Sequence, residues 1–290
     1  MTPEPRAPRA GSALAQAAAD PRRRGGLLLR ITPPGLYAGR ASVLMERSLR
    51  VYRRSWMIIF SGFFEPVFYL LSFGDGLGAL VGNVLGPDGQ PITYPAFIAP
   101  ALLASSAMNG AVYDSTVNVF FKMKESKLYE GMLATSLGPL DVALGEISWA
   151  LSRGGMYATG FVAVMLAMGL VHSWWALLLL PAALLIAFAF GSVGMAVTTF
   201  MKSWQDLDLV NLAMLPMFLF SGTFFSIDVY PTPLQWFVRA LPLHHAIELL
   251  RGLSLGILDG SMIGHVLYFV AMVGLGVSMT VKQLGKLLLK

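Results

Sequence analysis

The segment Phe121-Lys-Met-Lys-Glu-Ser-Lys-Leu-Tyr-Glu-Gly-Met-Leu-Ala-Thr-Ser-Leu-Gly-Pro-Leu-Asp-Val-Ala-Leu-Gly145 decides how the chain is read. Five of the nine residues from Lys122 to Glu130 are charged, and long apolar runs flank the segment on both sides. Leu128, Tyr129, Met132, Leu133 and Leu137 recur at helical spacing, which predicts a short helix with one apolar and one charged face. Gly138-Pro139 ends it. An amphipathic helix between two membrane spans is a candidate handle for a partner outside the membrane; the bland alternative is a solvated connector.

The flanking runs set the class. Of 290 residues, 56% are hydrophobic and only 13% charged, with a mean hydropathy of +0.65, whereas soluble domains carry about 25% charged residues. The composition is that of a polytopic membrane protein. Cysteine is absent, which excludes a disulfide framework and a thiolate metal site. Eleven of the 21 basic residues precede Ser55, all of them arginine. Residues 1–35 read as a disordered, Arg-rich cytoplasmic tail, dominated up to Gly26 by Ala, Pro and Arg. Arg22-Arg23-Arg24 is followed by only Leu27-Leu28-Leu29, too short for a twin-arginine signal. Residues 36–54 interleave Leu36, Val43, Leu44 and Val51 with arginines, the pattern of a basic helix lying in the membrane interface.

Six spans are predicted, at about 56–73, 94–121, 142–171, 174–201, 209–227 and 262–281, each long enough to cross a hydrocarbon core of ~30 Å. The fold expected is therefore all-α. Between the fifth and sixth spans, residues 228–261 carry Pro231, Pro233 and Pro242, and two apolar pieces, 234–241 and 245–258, too short to span. These read as a pair of re-entrant or interfacial helices. The tail, the middle loop, Lys202 and the C-terminal end hold eighteen Lys and Arg, whereas the opposite-side loops hold only Arg239 and Arg251. The positive-inside rule then places both termini and the middle loop in the cytoplasm, and the Pro-rich helix pair outside.

Enzyme signatures are missing. No phosphate-binding loop of the Gly-x-x-x-x-Gly-Lys-Ser/Thr type occurs, so ATP hydrolysis by this chain is not expected. There is no His-Glu-x-x-His motif and no Gly-x-Ser-x-Gly elbow, and the adjacent His244 and His245 point about 100° apart on a helix, a poor metal geometry. No catalytic or metal-ligating residue is assigned. Charges within the spans are the remaining candidates, because a charge in lipid is costly and faces the bundle or a cavity. Glu65, in the first span, reads as lining a substrate path or pairing with Arg153. Asp114, toward the far end of the second, is the other possible pathway residue. Glu146 and Arg153 are expected to snorkel toward the interface, and Asp206 and Asp208 to cap the fifth span.

Three stretches carry a family resemblance: Tyr129 to Glu146, Pro216-Met-Phe-Leu-Phe-Ser-Gly-Thr-Phe-Phe225, and Leu241-Pro-Leu-His-His-Ala-Ile-Glu-Leu-Leu-Arg-Gly-Leu-Ser-Leu-Gly256. In this order they resemble the ABC-2 type exporter permeases. The Glu-Gly-Met-Leu stretch and Ala107-Met108-Asn109 look most similar to the branch containing the nodulation lipo-chitooligosaccharide and daunorubicin permeases. The resemblance spans Leu36 to the C-terminus and implies one transmembrane domain over 36–290 in the bacterial inner membrane. It implies an interfacial N-terminal helix and a coupling helix at about 122–137. The function implied is export of an amphipathic substrate such as a lipid-linked glycan, a glycolipid or a hydrophobic drug. Implied partners are a separate ATPase, which holds ATP and Mg, a second permease copy or a similar chain, and membrane lipid; no nucleic acid and no cofactor in this chain are expected. As a coupling helix, the segment would offer Tyr129, Met132 and Leu133 as knobs to the ATPase, with Glu125 and Glu130 at the rim. A secondary transporter and a membrane-embedded transferase are the alternatives. The long Arg-rich tail departs from the family pattern.

Overall fold

The computed structural model describes residues 41–52, 64 and 66–288. Helix α1, Ala41–Tyr52, is the described part of the basic amphipathic stretch. The described part of the first apolar segment is α2, Pro66–Val81, which runs past the expected end at residue 73. Its extension is Gly-rich yet stays helical, with Gly74 and Gly78 facing Pro95. An antiparallel hairpin follows, β1 Asn83–Leu85 paired with β2 Pro91–Thr93, where an irregular loop was expected. Next come α3, Tyr94–Glu125, α4, Leu128–Leu133, and α5, Pro139–Ala167. Further on are α6, Trp174–Thr198, α7, Asp206–Phe220, α8, Thr232–Ala240, α9, Pro242–Leu255, and α10, Ser261–Leu288.

Among the described residues, three helices are long and apolar enough to cross a membrane: α3, α6 and α10. The 29 residues of α5 include Asp141, Glu146 and Arg153. At 15 residues, α7 is about 23 Å long at 1.5 Å per residue. It ends seven residues short of the expected boundary at 227, because the chain bends through Ser221 and Gly222, the latter at φ +85°. The protein is a helical, polytopic integral membrane protein.

The bundle is organised around α6, whose Ala, Gly and Ser residues let neighbouring backbones approach closely, as small residues do between membrane helices. A Cβ added at Gly276 of α10 would stand 2.5 Å from Ser192 Oγ and 2.8 Å from Val193 N. The main core joins Leu103 of α3, Phe161 of α5, Phe190 of α6, Leu250 of α9 and Phe269 of α10, all buried. Opposite the hairpin, a second apolar cluster unites Leu44 of α1, Tyr129 and Met132 of α4, Ile147 of α5 and Leu284 of α10. Here α1 crosses α5 at Gly145, where a Cβ would fall 2.7 Å from Leu44 Cδ1.

Candidate functional site: the helical hairpin and its cavity

The charged middle segment does not form one helix over 122–137. Phe121–Glu125 continues α3 in π-helical register. Lys127 then adopts φ +47°, a left-handed conformation uncommon for a side-chain-bearing residue, and this turn swings the chain into α4. Gly138 ends the connector. Its N–H donates to Asp141 Oδ2 at 2.8 Å, and Pro139 occupies the first turn of α5, where the missing N–H costs nothing.

The apolar face anticipated from the spacing exists, but it points inward. Tyr129 is fully buried and Met132 nearly so, in the cluster with Val142, Ile147 and Leu284; Leu133 is partly buried beside them. Their side chains fill this protein's own core rather than projecting from it. Glu130 and Gly131 are exposed on the opposite side of α4, and Lys124, Glu125, Ser126 and Lys127 are exposed before it. Glu125 Oε1 accepts a 3.0 Å hydrogen bond from Trp204 Nε1, and Trp204 stacks edge-on against Phe120. The Lys202–Gln205 turn and the 124–131 connector thus form one continuous surface. Asp206 Oδ2 accepts from the N–H groups of Lys202 and Ser203 at 2.7 and 3.1 Å, and these bonds hold its carboxyl below the usual range. Asp206 therefore closes the turn before α7.

Beneath α4 lies a column of ionic groups. Lys122 Nζ is 2.5 Å from Glu146 Oε2, and Arg153 pairs with Asp114, which also accepts from Asn118 Nδ2 at 2.6 Å. Glu146 and Arg153 are buried and paired between helices; they do not snorkel, because each has a partner at its own depth on α3. Arg153 pairs with Asp114, while Glu65, the partner expected for it from the sequence, lies outside the described residues. The Tyr129 hydroxyl sits beside the Glu146 carboxylate without meeting full hydrogen-bond geometry; burial first, and the nearby carboxylate second, push its pKa well up and keep it protonated.

Arg153 also borders a half-open cavity of about 580 Å³ between α2, α3, α5 and α7. Ser105, Ser106, Asn109 and Asn211 give it a polar side, and Leu102, Met214, Leu215 and Phe218 an apolar one. Asp114 itself stands behind Arg153, not on the wall.

At the hairpin end, α9 carries a second polar assembly that the sequence reading did not single out. Arg251, 3% exposed, donates from Nη1 to Glu248 at 2.9 Å, from Nη2 to the Gly222 carbonyl at 2.9 Å and from Nε to the Phe97 carbonyl at 3.4 Å. Its guanidinium lies 3.9 Å above the Phe97 ring. His244 Nδ1 meets the Ser221 carbonyl at 3.2 Å. These residues fasten the α7 terminus to α9 and α3. The available signal was the i, i+4, i+7 spacing of His244, Glu248 and Arg251, which places them on one helical face.

A bundle of close-packed apolar helices, with a part-polar cavity at one flank and an amphipathic connector at one end, is the architecture of a membrane protein. The chain belongs to the ABC-2 type transporter family, whose pattern matches residues 40–255. It is 34% identical over 218 residues to Nodulation protein J of Rhizobium leguminosarum bv. viciae, covering 72% of this chain and 82% of that protein. Nodulation protein J of R. leguminosarum bv. trifolii is 36% identical over 194 residues, 66% of this chain and 72% of that one. The protein of the same name from Sinorhizobium fredii is 34% identical over 228 residues, 75% and 85% of the two chains. The chain is thus a membrane subunit of an ABC exporter, not itself catalytic.

Proposed function

We propose that this chain is the permease of an ATP-driven exporter in the bacterial inner membrane, with six spans and both termini cytoplasmic. A separate ATPase holds ATP and Mg and docks on the surface formed by Lys124–Glu130 and the Lys202–Gln205 turn. Two copies, or this chain and a similar one, flank the path. The cargo is amphipathic: a lipid-linked glycan, a glycolipid or a hydrophobic drug. The observation that carries this reading is the cavity between α2, α3, α5 and α7, which sets hydroxyl and amide side chains opposite Leu, Met and Phe. Such a wall suits a molecule with a polar head and an apolar tail. Glu65 directly precedes Pro66, which lines the cavity, and is proposed with Asp114 to tune the path.

The test is reconstitution in proteoliposomes with the ATPase that co-purifies from the native host. ATP-dependent movement of a fluorescent lipid-linked oligosaccharide, reduced by Asn109→Leu and Asn211→Leu, is expected. Movement on an ion gradient without the ATPase would replace this reading with a secondary transporter.

A further inference from the structure

The two buried ion pairs lie between the docking surface and the cavity, and their placement has a common logic. Lys122–Glu146 and Asp114–Arg153 are nested across the α3–α5 hairpin, separated by 24 and 39 residues in sequence. Each pair joins α3 to α5, and the two stand about two helical turns apart. At one end of the column Glu146 lies beside Tyr129, under α4; at the other, Arg153 lines the cavity.

Three features argue against a purely architectural role. First, the side chains of Glu146, Asp114 and Arg153 are at most 9% exposed. A buried ion pair is a poor source of stability compared with apolar packing of the same volume. Second, both α3 partners sit in wide-turn segments. Asp114 opens the π-helical run Asp114–Asn118, and Lys122 lies within the run Phe121–Glu125. Such wide turns in an otherwise α-helical span are frequent at functional sites. Return of one wide turn to α register rotates the following residues by about 100°, which changes partners without unfolding the span. Third, the first wide turn is gripped from the side: Thr198 Oγ1 of α6 donates to the Ser115 carbonyl at 2.9 Å. A fixed pivot therefore adjoins the adjustable register.

We propose that these pairs form a transmission ladder. A displacement imposed on α4 passes through Tyr129 to Glu146–Lys122, then to Asp114–Arg153, and re-aims Arg153 at the cavity wall. The four charged residues are positioning residues, not cargo ligands. The inference rests on the exporter reading above.

The absence of cysteine permits a direct readout. A single cysteine replacing Asn109 reports the cavity through its maleimide labelling rate, measured on the full chain with its co-purified ATPase, with and without a non-hydrolysable ATP analogue. In the parent, nucleotide changes the rate. Glu146→Gln is expected to shrink this change by roughly 2- to 30-fold, the range over which substitutions along a coupling path act, while ATPase co-purification stays at the parent level. The exchange Lys122→Glu with Glu146→Lys is expected to restore it. Lys122→Gln is read in the same way if Glu146→Gln accumulates poorly. The ladder is overturned if the nucleotide response persists in these variants, or if it falls only in step with co-purification and the exchanged pair does not recover it. A parent chain that captures no ATPase overturns the exporter reading, and the ladder with it.

Discussion

Tyr129→Ala separates two readings of the connector helix. If the ring were a knob for the ATPase, its removal would weaken docking and leave the permease itself intact. In the structure the ring has 0% relative exposure and packs among Met132, Val142, Ile147 and Leu284. Burial of an aromatic ring removes about 150–250 Å² from water, worth roughly 4–6 kcal/mol at 25 cal/mol per Å². Aromatic-to-Ala substitutions in cores cost about 3–5 kcal/mol, so the two estimates agree. Tyr129→Ala should therefore lower the thermal unfolding midpoint of the purified permease, without any partner, by many degrees. Tyr129→Phe keeps the packing and removes only the hydroxyl beside Glu146, and should unfold within a degree or two of the parent. The assay is tryptophan-fluorescence or light-scattering thermal unfolding in detergent, run beside ATPase pull-down. An unchanged midpoint for Tyr129→Ala, together with a lost pull-down, would show that the ring faces the partner and would refute the inward placement of α4.

Other consequences are equally direct. Lys127→Gly should be neutral or stabilising by up to about 1 kcal/mol, because glycine carries no left-handed penalty; clear destabilisation in the same thermal assay would count against that turn. Gly276→Ala gains helix propensity, but its Cβ meets the α6 backbone, so a net loss of about 1–3 kcal/mol is expected, as for other overpacked sites, read from midpoints in detergent. His245 lies on α9, where burial and the neighbouring His265 and His244 push its pKa down to about 4. Its neutral form is thus favoured by folding, and stability is full above the ordinary value of 6.5 and falls as pH drops from there toward 4. The parent should melt lower at pH 5 than at pH 7.5, and His245→Gln should show a smaller drop. Single cysteines at Asp88 and at Lys124 should respond oppositely to an impermeant thiol reagent on intact cells, with Asp88 labelled and Lys124 protected.

How much of this was legible follows from which forces are local. Apolar length marked the cores of α3, α6 and α10, because hydropathy acts along the chain. The end of α2 was misplaced because its Gly-rich last turns read as a loop, whereas the chain stays helical there beside Pro95. The period of Leu128, Tyr129, Met132 and Leu133 correctly put them on one face. It was silent about what covers that face, since a partner's cleft and the chain's own core are equivalent sinks for apolar area. The ion pairs were within reach and went unread. Two helices joined by a short connector lie antiparallel, so charges nested about the connector stand opposite one another, and Asp114 with Arg153 and Lys122 with Glu146 follow from that alone. Arg251 was legible only in part: Glu248 lies three residues before it on the same helix, but its other acceptors, Gly222 and Phe97, are backbone carbonyls on other elements.

The unequal packing of the helices bears on how the cavity changes. Central α6 is fixed on several sides: Gly194 lies against Ser115, Gly276 against Ser192, and the Thr198 and Thr280 hydroxyls reach across to the Ser115 and Ser192 carbonyls. Close contacts of this kind leave few alternative arrangements. By contrast, α7, which walls the cavity with Asn211, Met214 and Phe218, buries only Leu207 of its fifteen residues. Its ends are what hold it. Asp206 closes the turn at one end. At the other, Arg251 and His244 grip the Gly222 and Ser221 carbonyls, while Phe224 bridges Phe218 to Phe73. Within this chain, then, α7 is held at its termini and gives its inner face to the cavity wall. Any displacement of α7 reshapes the cavity, and the Lys202–Gln205 turn that anchors it shares its surface with the α3–α4 connector.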